Sequence, residues 1–286
     1  MEKQKGSYGC PLHNAAESDL HYGDYLKIPE LLSLQVPLSK PPHHDELLFI
    51  VIHQAYELWF KLVLHEMDSA IQTMTEGKVL RAHHFMVRIG QILKLLLQQI
   101  HILETMSPIE FLEFRENLKP ASGFQSIQFR EMEFLAGLKD ESYLTYFKKR
   151  PEALEKLNAR FNGSDLKSAH YELLRKLGYS IPTDAYEREK SASPDARHSI
   201  IQGILPIYQK PSDHLPVYLL TESLVEFDQS FLLWRDHHMR VVERIIGTKP
   251  GTGGSEGVAY LQATTNKKCF PVLWEVRAHL NTGGKG

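Results

Sequence analysis

Three observations predict an all-α fold. Apolar residues recur at spacings of three and four over long stretches. Strand-like alternation is scarce, and proline, glycine and capping residues cut the chain into helix-length pieces. The expected architecture is one large helical bundle-like domain over 1–286, with a less regular helical excursion at about 140–209.

Taken in order, Pro41-Pro42 followed by Asp45 reads as a stop and an N-cap, opening a helix to about Thr75. Phe85, Ile89, Ile92, Leu96, Ile100 and Leu103 keep helical spacing and predict a second helix over 81–105. Ser107-Pro108-Ile109-Glu110 has the form of a capping box with proline at the first helical position, starting a helix that carries Phe111, Phe114 and Arg115. Lys119 to Gly123 is a turn, and a further helix is expected over 125–138. After the polar middle, Ser212-Asp213 opens the longest helix, which ends at Gly247 as its C′ residue. The glycine-rich run from Lys249 to Gly257 must be flexible before folding or binding, and a short helix over 271–280 closes the chain.

Composition excludes several classes of function. With 42% apolar and 24% charged residues and a net charge of −2, nothing argues for nucleic acid or an anionic membrane surface. Cys10 and Cys269 define neither a disulfide framework nor a zinc motif, which fits a reducing cytoplasm. The first residues lack the apolar stretch of a signal peptide. The longest apolar run, Leu47 to Leu64, is interrupted by His53, Gln54, Glu57 and Lys61, which speaks against a membrane span.

Two histidines interrupt apolar helices: His53 in FIVIHQAYELWFK and His238 in RDHHMRVVERIIG. Burying an imidazole costs free energy unless it is hydrogen-bonded or meets a ligand. At 100° per residue, Phe227, Phe231, Trp234, Val241, Val242 and Ile245 fall within about 60° of His238, whereas Glu226, Ser230, Arg240 and Arg244 surround His237. His238 is therefore the interior one. It reads either as a core histidine bonded to a carbonyl or as a neutral ligand suited to a haem iron. His53 also has two readings, because His53, Glu57, Lys61 and His65 form an ordinary i, i+4 polar stripe.

His43-His44-Asp45 contains H-x-D, two-thirds of a non-haem iron triad, although capping explains it as well. H-E-x-x-H, E-x-x-H and C-x-x-C-H are absent, so neither the zinc-protease, the di-iron nor the covalent haem signature is present. Arg115 lies one turn from Phe111, so the two share a face on which a guanidinium can clamp a carboxylate beside an aromatic wall. The loop Gly251-Thr252-Gly253-Gly254-Ser255 could close over a ligand and lacks the ending of a phosphate-binding loop.

Together, and in this order, YGDYL, FIVIHQAYELWFK, FLEFRE, SGFQSIQFRE, RDHHMRVVERIIG and GTGGS resemble the tryptophan 2,3-dioxygenase family over most of the chain. The resemblance implies a homotetrameric, cytosolic, helical enzyme enclosing one haem b per subunit, ferrous when active. It would insert both atoms of dioxygen across the indole C2–C3 bond of L-tryptophan to give N-formyl-L-kynurenine, the first step of the kynurenine pathway. It further implies His238 as the axial iron ligand, His53 on the distal side facing the indole N–H, and Phe49 in the indole wall. Ile50, Val51, Ile52 and Phe111 join the expected substrate set. Arg115 would take the substrate carboxylate, Thr252 the amino-acid end, and Ser122 and Gly123 would lie near the haem. Tyr22 and Tyr25 would reach the pocket of a neighbouring subunit. Some family members carry tyrosine where Phe111 stands here, so Arg115 would bear more of the carboxylate contact.

Overall fold

The computed structural model describes residues 20–190, 194–253 and 256–280, among which no strand occurs. Two short helices, α1 (Tyr22–Leu26) and α2 (Ile28–Leu31), precede the long α3 (His44–Thr75) and α4 (Val79–Leu103). Next come α5 (Pro108–Arg115) and α6 (Ile127–Leu135). The middle holds α7 (Ser142–Tyr146), α8 (Pro151–Asn162), α9 (Leu166–Lys176), α10 (Ala185–Lys190) and α11 (Pro194–Gln209). The chain closes with α12 (Leu215–Ile246), α13 (Val258–Thr264) and α14 (Pro271–Glu275). Cys10, Gly254 and Ser255, which entered the sequence reading, lie outside the described residues.

The centre is α4 laid against α3 and α12. The sequence pattern explains why: Ala82, Phe85, Met86, Ile89, Leu93, Leu96 and Ile100 recur at three and four and are buried along one face of α4. Each of these side chains larger than alanine contributes roughly 1.5–3 kcal/mol on burial. By length and composition α3 could cross a membrane, yet it packs against α4, α5, α6 and α9 as a core helix does. One buried cluster runs from Ile52 to Val276 and takes in Leu166, Leu173, Ile200 and Ile207 of the middle segment. A smaller one joins Phe134 to Tyr143, Phe147 and Leu157.

Local chemistry shifts some helix starts. The cap of α3 is His43, whose Nδ1 accepts the Asp45 N–H at 3.2 Å, so Asp45 sits inside the first turn instead of capping it. The same ring bonds Glu113 through Nε2 at 2.9 Å, which gives the H-x-D pair a structural role. The capping box at Ser107 and Glu110 forms as the sequence implies. Helix α12 begins at Leu215 with no side-chain cap, two residues beyond the expected Ser212-Asp213 start. Its end is at Gly247, where a φ of 59° favours glycine. Asp228, fully buried on α12, accepts the N–H groups of Cys269, Phe270 and Trp274 at 2.9–3.0 Å and so anchors the C-terminal segment. The middle segment is more regular than its polarity suggested, because amphipathic α9 and α11 bury their apolar faces on the main body.

His170 on α9 is buried and bonds Thr221 at 3.1 Å, and burial pushes its imidazole down to about 4 from 6.5. The unfolded chain therefore takes up this proton first as pH falls. Its stability contribution is complete above pH 6.5 and lost between pH 6.5 and about 4. His170→Gln should flatten the dependence of the denaturation midpoint on pH across that window. An unchanged slope would remove His170 from the acid sensitivity.

Candidate functional site

A cavity of about 300 Å³ lies between α3, α5, α6, α12 and the residues after Gly247. Both histidines line it. On α3, Phe49, His53, Tyr56, Glu57 and Phe60 project into the cavity because they share one helical face. The i, i+4 stripe is thus divided: His53 and Glu57 enter the cavity, whereas Lys61 and His65 face solvent. Glu57 is held by Gln128, whose Nε2 donates to the Glu57 carboxylate at 2.7 Å and to its carbonyl at 2.8 Å.

His53 donates from Nδ1 to the Phe49 carbonyl, one turn back, at 2.7 Å. That bond selects the tautomer with a bare Nε2 lone pair. Burial holds the imidazole below the usual histidine range, partly opposed by the Phe49 carbonyl and Glu57, so it is neutral at pH 7. The Phe49 ring lies 4.0 Å from the His53 ring and 5.7 Å from Phe111, forming an aromatic wall.

His238 stacks on Trp234 with ring centroids 5.1 Å apart and planes 3° from parallel. Desolvation, with a smaller effect from His53, pushes its imidazole down to about 4, and no hydrogen bond to a described residue offsets that. A neutral imidazole facing an aromatic cavity with no competing partner is the state in which histidine binds a metal. His237 turns the other way and bonds Glu104 at 3.2 Å. These observations fit the haem that the resemblance implies: the donor is neutral and has no partner among the described residues, and the walls are largely apolar. Arg130 on the cavity lining keeps a buried Nε without a partner among the described residues, a donor suited to an anionic edge.

Three arginines line the cavity. Arg130 and Arg235 are paired with the buried Glu133 at 2.5 and 2.8 Å. Arg115, also buried, meets no hydrogen-bonded carboxylate among the described residues; Glu116 is 3.8 Å away, beyond hydrogen-bonding reach. Its Nη2 donates to the Pro250 carbonyl at 2.5 Å, which ties α5 to the glycine-rich loop. Thr252 donates to the Ala121 carbonyl at 2.5 Å, and a Cβ on Gly253 would stand 2.6 Å from the Ser122 Cβ. The loop therefore rests against Ser122 and Gly123, and the close approach requires glycine.

Phe49, His53, Phe111, Arg115, Ser122, Gly123, Thr252 and His238 thus meet at one cavity. Ile50, Val51 and Ile52 are not among its lining residues. Successive helical positions diverge by 100°, which sends Ile52 into the core and leaves Val51 46% exposed. Tyr22 and Tyr25 are 72% and 71% exposed on α1 and do not line it either. The sequence reading missed Tyr56, Phe129, Arg130, Glu133 and Tyr260, whereas Trp234 stands beside His238 as the helical wheel places it. Only Arg130 and Glu133 carried a signal, a charged i, i+3 pair inside an apolar helix.

A helical fold enclosing an aromatic cavity, with two histidines and a buried arginine that meets no hydrogen-bonded carboxylate among the described residues, defines a protein of the small-molecule-binding class. A family model described as tryptophan 2,3-dioxygenase matches residues 7–181 and 189–280. A tryptophan 2,3-dioxygenase of Herpetosiphon aurantiacus is 45% identical, covering 91% of this chain and 98% of its own length. Those of Nocardioides sp. and Caulobacter vibrioides are 43% and 41% identical, each covering 92% of this chain and 96% and 99% of their own. The chain belongs to the tryptophan 2,3-dioxygenase family, whose members depend on haem.

Proposed function

We propose that this chain is an oxidoreductase that inserts dioxygen across the indole C2–C3 bond of L-tryptophan to give N-formyl-L-kynurenine, with haem b, ferrous when active, as cofactor. Family membership supports the reaction. The observation that carries the residue assignment is the pairing, in one cavity, of a neutral His238 with a buried Arg115, neither of which has a hydrogen-bonded carboxylate among the described residues.

His238 would hold the iron, with Ser122, Gly123 and Arg130 beside the macrocycle. When bound, the haem supplies the activation of dioxygen. The chain orients the substrate. Arg115 binds its carboxylate, Phe49 and Phe111 wall the indole, and Thr252 meets the amino-acid end. The bare Nε2 of His53 accepts the indole N–H, a geometry that the Phe49 carbonyl maintains. Because burial keeps His53 a weak base, its role is to orient, and the indole nitrogen keeps its proton during attack at the ring carbon. The loop carrying Thr252 excludes water.

The chain would act as one domain within a cytosolic homotetramer. Leu20, Tyr22, Tyr25, Leu32, Leu34 and Val36 are each more than half exposed, an apolar strip suited to cover a neighbouring subunit's pocket.

The deciding experiment incubates haem-loaded protein with tryptophan under air and follows formylkynurenine absorbance. Tryptophan left unconsumed would overturn the proposal. The loop contact gives a second test. Gly253→Ala forces the loop off Ser122, so KM for tryptophan should rise roughly 3–10-fold, equivalent to about 1 kcal/mol, and cleavage near Thr252 should quicken. Equal KM and equal proteolysis would show that the loop does not close on the substrate.

A further inference from the structure

Behind the haem-facing side of α12, His237 meets the C-terminal end of α4. His101 in the last turn of α4 bonds Glu104 through Nδ1 at 2.9 Å, and His237 bonds the other oxygen of Glu104 through Nε2 at 3.2 Å. The two imidazole rings lie 4.7 Å apart at 83° to one another, and one ligand atom from each of the three residues falls within 4.8 Å of the others. None of these residues lines the cavity, so the proposed reaction does not use them.

We propose that His101, Glu104 and His237 form a divalent-cation site of the zinc class, which clips the end of α4 to α12. Two imidazoles and one carboxylate match zinc's preference for nitrogen and oxygen donors, with a fourth tetrahedral position left to water. Zinc–nitrogen bonds of about 2.0–2.1 Å put tetrahedral donors about 3.3–3.4 Å apart. The two hydrogen bonds, to different oxygens of Glu104, span 2.9 and 3.2 Å, and the three donor atoms lie within 4.8 Å of one another. Binding draws the donors together by up to about 1.4 Å, a movement that rotation of the half-exposed His101 side chain can supply. Each imidazole moves its proton from the nitrogen facing Glu104 to its other ring nitrogen, and the freed lone pair takes the metal. Partial exposure gives the ion an entry path: the His101 side chain is half exposed, and Glu104 and His237 are 22% and 29% exposed.

The placement has a consequence for the haem helix. His237 directly precedes His238, so an ion fixing His237 would stiffen the turn that presents His238 to the cavity. Zinc uptake itself rests on the three-residue geometry and not on the proposed reaction.

The test uses haem-loaded protein titrated with zinc ion alone, read by isothermal calorimetry and by metal content after dialysis. The wild type should take up one zinc per subunit at this site. His101→Ala and Glu104→Gln should each weaken that uptake at least about tenfold, with the Soret band and haem content unchanged. Surface histidines elsewhere would bind equally in all three proteins, so the difference between them isolates this site. Wild-type protein that takes up no zinc, or variants that retain the same stoichiometry and affinity, would overturn the proposal. So would a double variant, His101→Ala with Glu104→Gln, that folds and still binds like the wild type.

Discussion

His238→Ala is expected to lose the Soret band, with haem content below about a tenth of the wild-type value. On the proposed reading, His238 supplies the protein's bond to the iron, and van der Waals contacts with the apolar walls remain. The structure makes the expectation sharp, because His238 has no hydrogen-bonding duty to a described residue and its pKa of about 4 leaves it neutral at working pH. Alanine also removes the ring stacked on Trp234, so the variant's fold must be checked by circular dichroism. His238→Gln, closer in volume, serves as the companion variant and should also lack haem. A folded variant that keeps a histidine-type Soret band and turns tryptophan over would place the ligand elsewhere.

Arg115→Ala should lower kcat/KM for tryptophan by about 10²–10³-fold, chiefly through KM, with haem content unaltered. The magnitude follows from removing a buried cation from a charge-assisted, two-pronged contact with a carboxylate, worth roughly 3–4 kcal/mol. Arg130 and Arg235 are poor substitutes, since the charge of each is already paired with Glu133. Part of the loss arises through the loop, because Arg115 also holds the Pro250 carbonyl. Comparing tryptophan with an analogue lacking the carboxylate separates the two effects: the variant should lose discrimination between them. Discrimination retained in full would remove Arg115 from carboxylate binding.

Much of the helical layout was legible without coordinates, for a local reason. Capping residues, prolines and three-four spacing act within a few residues, and Ser107-Pro108-Ile109-Glu110 starts α5 as its chemistry requires. Gly247 ends α12 because positive φ is easy only for glycine. Where several capping residues compete, the pattern was ambiguous. His43 took the cap from Asp45, and α12 started after Ser212-Asp213 instead of on it. The middle segment misled because its polarity lies on the outer faces of helices whose inner faces join the same core as α3.

The sequence by itself determined the helices, the interior direction of His238, and the family, since each depends on residue order along one stretch of chain. Tertiary structure decided how these parts meet. Helix α3 turns His53 and Phe49 toward the cavity and Ile50, Val51 and Ile52 away from it, which a contiguous motif cannot convey. It also brought Glu133 between Arg130 and Arg235 and left Arg115 without a hydrogen-bonded carboxylate, a distinction created across 102 residues of separation between Glu133 and Arg235. The meeting of His101, Glu104 and His237 is likewise invisible in one dimension, because side chains 133 residues apart become neighbours only when α4 packs on α12.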